Sequence, residues 1–235
     1  MLEVLRSKER GRTKIDWLDS YHSFSFGEYY NPKNMGFGPI RVFNDDLILP
    51  SGGFPTHPHR DMEIVTIVTE GAVEHRDSSG GEGIIRVGEV QKMTAGKGIF
   101  HSEFNASDKN ILKLYQIWII PNQLRLKPSY EDIRYNIDEK KNKLLLVASN
   151  NHSDGVIFLN QDAKIYLADL EAGKGIGYKT EKPRGIYLHV TEGKVAFAGT
   201  ELSSGDAAKL TEIESLEIVS DQNAGFILFD VAMNF

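Results

Sequence analysis

Residues 64–75 read IVTIVTEGAVEH, and residues 185–199 read GIYLHVTEGKVAFAG. Both run from a β-branched apolar stretch through Thr-Glu-Gly into a second alternating stretch. Val, Ile, Thr and aromatic residues suit a pleated, half-buried surface. A glycine after Thr-Glu supplies the turn conformation that joins two antiparallel strands. Each hairpin is followed by a Gly-acid pair that opens a further alternation, GEVQKMTAG from Gly88 and GDAAKLTE from Gly205. The intervals differ, 17 residues from Gly71 to Gly88 and 12 from Gly193 to Gly205, so the repeat is weak. Outward from the hairpins the pattern continues in LKLYQIWII, KLLLVAS and FILFDVAM, short runs bounded by Gly, Asn, Asp or Pro. Helical periodicity is weak almost everywhere, and many short strands predict an all-β sandwich or barrel. The two hairpins predict two similarly built β domains, residues 1–130 and 131–235. The polar stretch SYEDIRYNIDEKK, Ser129 to Lys141, has room for a turn or two of helix and is the expected connector.

The composition narrows the function classes. Of 235 residues, 40 % are hydrophobic and 26 % charged, an ordinary globular balance with ample material for a core. The net charge of −6 argues against a general polyanion-binding surface, so direct nucleic-acid contact is not expected. There is no cysteine, which rules out disulfides, thiolate metal sites and a cysteine nucleophile. The N-terminal stretch MLEVLRSKERGRTKIDW has no apolar region of the length a secretory signal needs. No apolar run is long enough for a membrane-spanning helix. The expectation is a cytoplasmic protein with no membrane contact.

Two tripeptides carry the chemistry. In THPHRDMEI, His57 and His59 flank Pro58, and in FHSEFN, His101 and Glu103 repeat the spacing. In a strand, residues two apart project to the same side, about 7 Å apart at Cα. Two such imidazoles can converge on one ion at about 2.0–2.2 Å. Pro58 has no N–H, belongs on an edge strand or a strand start, and keeps His57 out of helical dihedrals. The plainer reading is that both pairs are solvated turn residues. Glu63 shares the parity of His57 and His59 if the strand runs unbroken. It competes with Glu103 as the carboxylate ligand, or accepts a hydrogen bond from a ligand. His22, His75, His152 and His189 stand alone and are expected to be surface or hydrogen-bonded histidines.

Gly53, HPH, Glu63 and Gly71, then Gly88, Gly98, His101 and Asn105, resemble the two sequence motifs of the cupin barrel. The longer strings WLDSYHSFSFGEYY, MGFGPIRVFNDD, HPHRDMEIVTIVTEGAVEHRDS and GEVQKMTAGKGIFHSEFN resemble the pirin family of bicupins, in particular its short bacterial members. The likeness is dense over residues 14–120. It implies two packed β-barrels, with one mononuclear metal in the N-terminal one. In pirins the ligand carboxylate lies two residues after the third histidine, so the resemblance makes His57, His59, His101 and Glu103 the ligands. Setting the two Thr-Glu-Gly turns together puts Lys179 and Glu181 where His57 and His59 stand. Setting Gly205 on Gly88 puts Ile218 and Ser220 where His101 and Glu103 stand. The C-terminal domain is therefore expected to be metal-free.

Nitrogen and carboxylate ligands suit one divalent transition ion, Fe(II) first, with Mn, Co, Ni, Cu or Zn as alternatives. Some bacterial pirins of this length look like quercetin 2,3-dioxygenases. That likeness implies O2-dependent cleavage of a flavonol's heterocyclic ring with release of carbon monoxide, Glu103 also acting as general base. An aromatic substrate calls for a largely apolar cleft. Phe24, Phe26, Met35, Phe37 and Phe54 are candidates for it, although each also suits the core. The alternative is a metal-binding regulatory protein that acts through a protein partner according to the iron's redox state. A monomer is expected.

Overall fold

The computed structural model describes residues 1–234. Among them the chain is all-β, interrupted by two short 3₁₀ turns at Ser7–Glu9 and Ile137–Lys140. No helix is long and apolar enough to cross a membrane. Four sheets form two units of the same plan, each with a seven-stranded and a four-stranded sheet. In the first unit the large sheet runs in the order Ser129–Arg134, Glu89–Thr94, Glu63–Glu70, Leu112–Ile119, Ile40–Ile48, Leu18–His22 and Gly11–Lys14. Its small sheet runs Gly53–His59, Ile99–Asn105, Ala72–Asp77 and Glu82–Arg86. In the second unit the large sheet is Leu2–Leu5, Ala207–Thr211, Arg184–Glu192, Ala224–Ala232, Ala163–Leu170, Leu145–Ser149 and Ile157–Phe158. The small one is Lys174–Lys179, Ser215–Ser220, Lys194–Phe197 and Thr200–Ser203. Pairing is antiparallel except between Leu145–Ser149 and Ile157–Phe158, which run parallel.

The two Thr-Glu-Gly turns do the same work. Gly71 and Gly193 both have positive φ, 76° and 66°. A Cβ at either would collide with a carbonyl just before the neighbouring long strand, that of Ile111 or of Asn223. Only glycine meets both demands.

Apolar faces pack in layers. Val68, Leu112 and Leu114 of the first large sheet meet Val73 and Ile85 of the first small sheet. In the second unit Leu188, Leu210 and Leu228 meet Val195, Phe197, Leu202 and Ile218. The third and largest cluster joins the two large sheets back to back. It sets Phe43, Val65, Ile67, Tyr115 and Ile117 against Tyr187, Ile227, Phe229, Ile165 and Leu167. The order of layers is small, large, large, small.

Two segments add to the expected plan. The stretch Ser129–Lys141 does hold a helical turn, at Ile137–Lys140, but it opens as the strand Ser129–Arg134, which pairs with Glu89–Thr94, from Ser129 opposite Thr94 to Arg134 opposite Glu89. This strand satisfies the backbone groups of what would be a free edge, and the expected boundary at 130/131 falls inside it. The N-terminal strand Leu2–Leu5 pairs with Ala207–Thr211 of the second unit. The chain thus begins in the far unit before it builds the near one.

Candidate metal centre

Gly53–His59 is the edge strand of the first small sheet, where Pro58 costs no ladder hydrogen bond. Its neighbour Ile99–Asn105 sets His101 opposite His57, Phe100 opposite Pro58 and Ile99 opposite His59. The register shifts between His101 and Glu103, so that Glu103 stands opposite Phe54. Alternation then turns His57, His59, His101 and Glu103 into the space between the small and large sheets, with Phe100 and Phe104 outside. His57 and His59 are half-buried, whereas His101 and Glu103 are each only 2 % exposed.

The imidazoles of His57, His59 and His101 form one compact group, with ring centroids 4.4–4.8 Å apart. The Nε2 atoms of His57 and His101 face each other at 3.0 Å. Two nitrogens held at right angles about 2.1 Å from one ion stand about 3.0 Å apart. His57 Nδ1–H donates to the Pro55 carbonyl at 2.8 Å, which leaves its Nε2 lone pair facing inward. Burial, with His57 beside it, pushes His59 down to about 4. Burial, with His57, His59 and His75 around it, pushes His101 down to about 2. Both imidazoles are therefore neutral at physiological pH, the form that binds metals. His101 Nδ1 has no protein partner although it is buried.

Glu103 joins through His101, in a second group that contains His75. Burial raises its pKa, opposed by His75 and by a hydrogen bond from Gln116. Its Oε2 accepts from Gln116 Nε2 at 2.6 Å, and its Oε1 has only a long contact from Thr66 Oγ1 at 3.4 Å. Gln116 Oε1 in turn accepts from Trp118 Nε1 at 3.1 Å, and the Trp118 ring stands edge-on to His59 at 4.7 Å. Three converging imidazoles and a carboxylate short of cationic partners fit a divalent transition ion. A chain of Trp, Gln and Glu hydrogen bonds of this kind fixes how a ligand carboxylate is presented.

Glu63 turns elsewhere. Asp61 adopts a positive φ of 49° and breaks the strand, so the parity linking Glu63 to the histidines is lost. Glu63 is buried and accepts from Thr94 Oγ1 at 2.7 Å, Asn160 N at 2.9 Å and Asn160 Nδ2 at 3.1 Å. Its work is to fasten the first unit to the second.

His75 is hydrogen-bonded as expected, but it lies at the site. It stands opposite Glu103 in the neighbouring strand, with Nε2 3.0 Å from Asp77 Oδ2 and Nδ1 3.2 Å from Gln91 Nε2. Both its nitrogens are thus occupied. His22 is tied to Asn44 and Thr13, His152 stacks on Phe158, and His189 is buried at the seam of the two units.

Of the aromatic candidates, Phe26 packs edge-on against Trp118 at 5.4 Å and Phe54 lies 6.4 Å from His57. Phe24 and Phe37 belong to the core between the units, and Met35 is at the surface. Gln116, Trp118 and Asp77 were not singled out from the sequence, and His75 was set apart there as a lone histidine. A lone glutamine inside LKLYQIWII was one available signal; His75-Arg76-Asp77, with the same His-x-acid spacing as His101-Ser102-Glu103, was another.

In the second unit, strand pairing sets Ile176 opposite Ile218 and Lys179 opposite Ser215 at the strand's end. In the first unit His57 stands opposite His101, so the two sequence alignments, Lys179 on His57 and Ile218 on His101, are out of register with each other. Between these sheets of the second unit Ile176, Phe197 and Ile218 belong to an apolar cluster.

Comparison with known proteins agrees with this geometry. The pirin family profile matches residues 4–119, and that of the quercetinase C-terminal cupin domain matches residues 146–231. The chain is 39 % identical to quercetin 2,3-dioxygenase of Escherichia coli K12 over 98 % of its own length and 99 % of that protein's. It is also similar to the crystal structure of YhhW from Escherichia coli, with a TM-score of 0.95, 39 % identity and coverage of 99 % and 98 %. The nickel(II) complex of the bacterial pirin YhhW matches with a TM-score of 0.93 and 39 % identity, over 98 % of this chain and 99 % of that one. A metal-capable histidine cluster in the first of two cupin-like units, joined to a quercetinase-type second unit, places the chain in the pirin family.

Proposed function

We propose that the protein is a metal-dependent dioxygenase that cleaves the heterocyclic ring of flavonols such as quercetin, with His57, His59, His101 and Glu103 holding the ion. Each pair of sheets is read as a cupin barrel. The observation that carries the reading is the convergence of three imidazoles beside a buried carboxylate, with Trp118 and Phe26 close by. A bound divalent ion, Fe(II) in the first instance, would supply Lewis acidity toward the flavonol 3-oxygen and redox access to O2. The overall change is flavonol plus O2 to a depside ester plus carbon monoxide.

The chain's own part is orientation and proton transfer. Glu103 Oε2 is held by Gln116, so Oε1, with its single long contact, is the oxygen free to take the 3-hydroxyl proton. Trp118 and Phe26 offer aromatic faces and edges to a flat ligand. His57 and His59 are half-buried at the sheet edge, so approach to the centre is proposed from their side.

The test is anaerobic loading with Fe(II), Mn(II), Co(II), Ni(II) or Cu(II), followed by flavonol and O2, with carbon monoxide measured. Release is expected only from loaded protein. Glu103→Gln should abolish it while the three imidazoles still retain the ion, as measured by elemental analysis. Carbon monoxide at an undiminished rate from Glu103→Gln would remove Glu103 from the reaction, and no turnover with any of the metals would overturn the enzyme reading.

A further inference from the structure

We infer that the cleft at the mouth of the seam between the two large sheets is a binding site for a small organic ammonium ion, an apolar body with one cationic head. The cleft holds about 430 Å³ and takes its walls from both units, the size and the kind of place in which small ligands bind. It lies across the first large sheet from the histidines. Along Leu112–Ile119, Gln116 turns to Glu103, whereas its neighbour Tyr115 turns to the seam.

Two facing rows of side chains build the floor. In the first unit Asp45 stands opposite Tyr115, and Tyr115 opposite Ile67. In the second unit Leu167 stands opposite Ile227. All of these line the cleft. At its rim Val87 and Ile137 leave apolar side chains 44 % and 46 % exposed, surface that an apolar body would take out of water.

The sign of the head follows from which carboxylates are already paired. Both Thr-Glu-Gly turns reach the mouth. Glu70 stands opposite Lys113 and meets its ammonium at 2.8 Å. Asp169 meets Lys140 at 2.9 Å. The two lysines of the cleft are thus engaged. Glu192, in the second turn, stands opposite Gly225, which offers no cation. Asp45 is left with Arg10, whose Nη1 and Nη2 approach only its Oδ2, both at 3.3 Å, where charge-assisted pairs close to about 2.7–2.9 Å. Burial still raises the Asp45 pKa despite Arg10, so the carboxylate lacks a full counter-charge, and its side chain is 33 % exposed. An anion entering the cleft would face Asp45 and Glu192, whereas a cation would supply what they lack. Beside Asp45, Tyr115 is only 6 % exposed, and its hydroxyl has no hydrogen-bond partner among the described residues. Burial, with Asp45 beside it, raises the phenol's pKa, so the hydroxyl stays neutral and its oxygen can accept from an ammonium N–H.

The experiment is calorimetric titration of full-length, metal-loaded protein with benzylammonium chloride and, separately, with benzyl alcohol, which carries the same ring without the charge. Benzylammonium should saturate one site per chain and bind about tenfold or more tighter than the alcohol, the advantage of a hydrogen-bonded charge. At about five times its dissociation constant it should raise the unfolding midpoint by about 2–4 °C. Metal-stripped protein should bind it equally well. Asp45→Asn should weaken binding about tenfold or more. Tyr115→Phe removes a hydroxyl that has no partner, so it should unfold no lower than the parent while binding benzylammonium about two- to tenfold more weakly. Four results would overturn the site: no saturable binding, benzyl alcohol bound as tightly as benzylammonium, binding that vanishes with the metal (the amine at the histidines), or an affinity undiminished in both variants.

Discussion

Glu103 is held by one oxygen, and the residue holding it lies thirteen positions further along the chain, on the other sheet. Replacing Gln116 by Leu leaves the donor set intact and removes the brace. Loss of such an outer partner costs metal affinity about 10–100-fold, so calorimetric titration of Gln116→Leu should show that loss with the fold unchanged by circular dichroism. An affinity equal to the parent's would mean that Glu103 is positioned without Gln116. At this scale the sequence was informative where spacing alone decides. His57-Pro58-His59 and His101-Ser102-Glu103 needed only alternation. It misled where spacing presumed continuity. The reversal at Asp61 sends Glu63 to Asn160, and nothing in the string RDME announces it. His75 and Gln116 carried only faint signals, for a different reason. Their place beside Glu103 is a matter of register between distant strands, which one sequence does not encode locally.

The element that made the fold readable is the Thr-Glu-Gly hairpin, because its glycine answers a local backbone demand. Ala at Gly71 or Gly193 would have to hold positive φ and push back a neighbouring carbonyl. Each substitution should cost at least about 1 kcal/mol, seen as a fall of about 2–4 °C or more in the unfolding midpoint. A midpoint unmoved by both changes would show that the turn can relax. Strand content and the doubled plan followed from such punctuation and from β-branched runs. The segment Ser129–Arg134 was harder. It is polar and half-exposed, and it is a strand because the edge of Glu89–Thr94 offers it a partner. Leu2–Leu5 shows the same limit, since its partner lies some two hundred residues away. Short strands on sheet edges owe their state to tertiary pairing more than to propensity.

At the scale of the whole molecule, the two units are built to unfold together. Phe43 is fully buried and packs against Tyr115, Tyr187, His189 and Phe229, spanning both large sheets. Phe43→Ala should cost about 3–5 kcal/mol and lower one common calorimetric transition; two separate transitions would show that the units are independent. The N-terminal segment binds them a second way, through Asp206. This carboxylate accepts from Arg6 Nη1 at 2.8 Å, Ser7 N at 2.8 Å and Ser203 N at 3.1 Å. Burial alone would raise its pKa, but the hydrogen bonds from Ser203, Ser7 and Arg6 prevail and hold it below the usual value. A group with a depressed folded pKa stabilises fully above its unfolded pKa of about 3.9 and ceases to do so as pH falls through the folded value. Asp206→Asn should therefore be less stable than the parent by about 1–3 kcal/mol at pH 7. The gap should narrow as pH falls below that unfolded value and close only once pH is below the folded one, where the parent's carboxyl is protonated as well. Denaturant unfolding of both proteins from pH 7 down to pH 3 measures the gap. A gap that stayed constant across that range would mean that the Asp206 charge does not tie the first strand to the second unit.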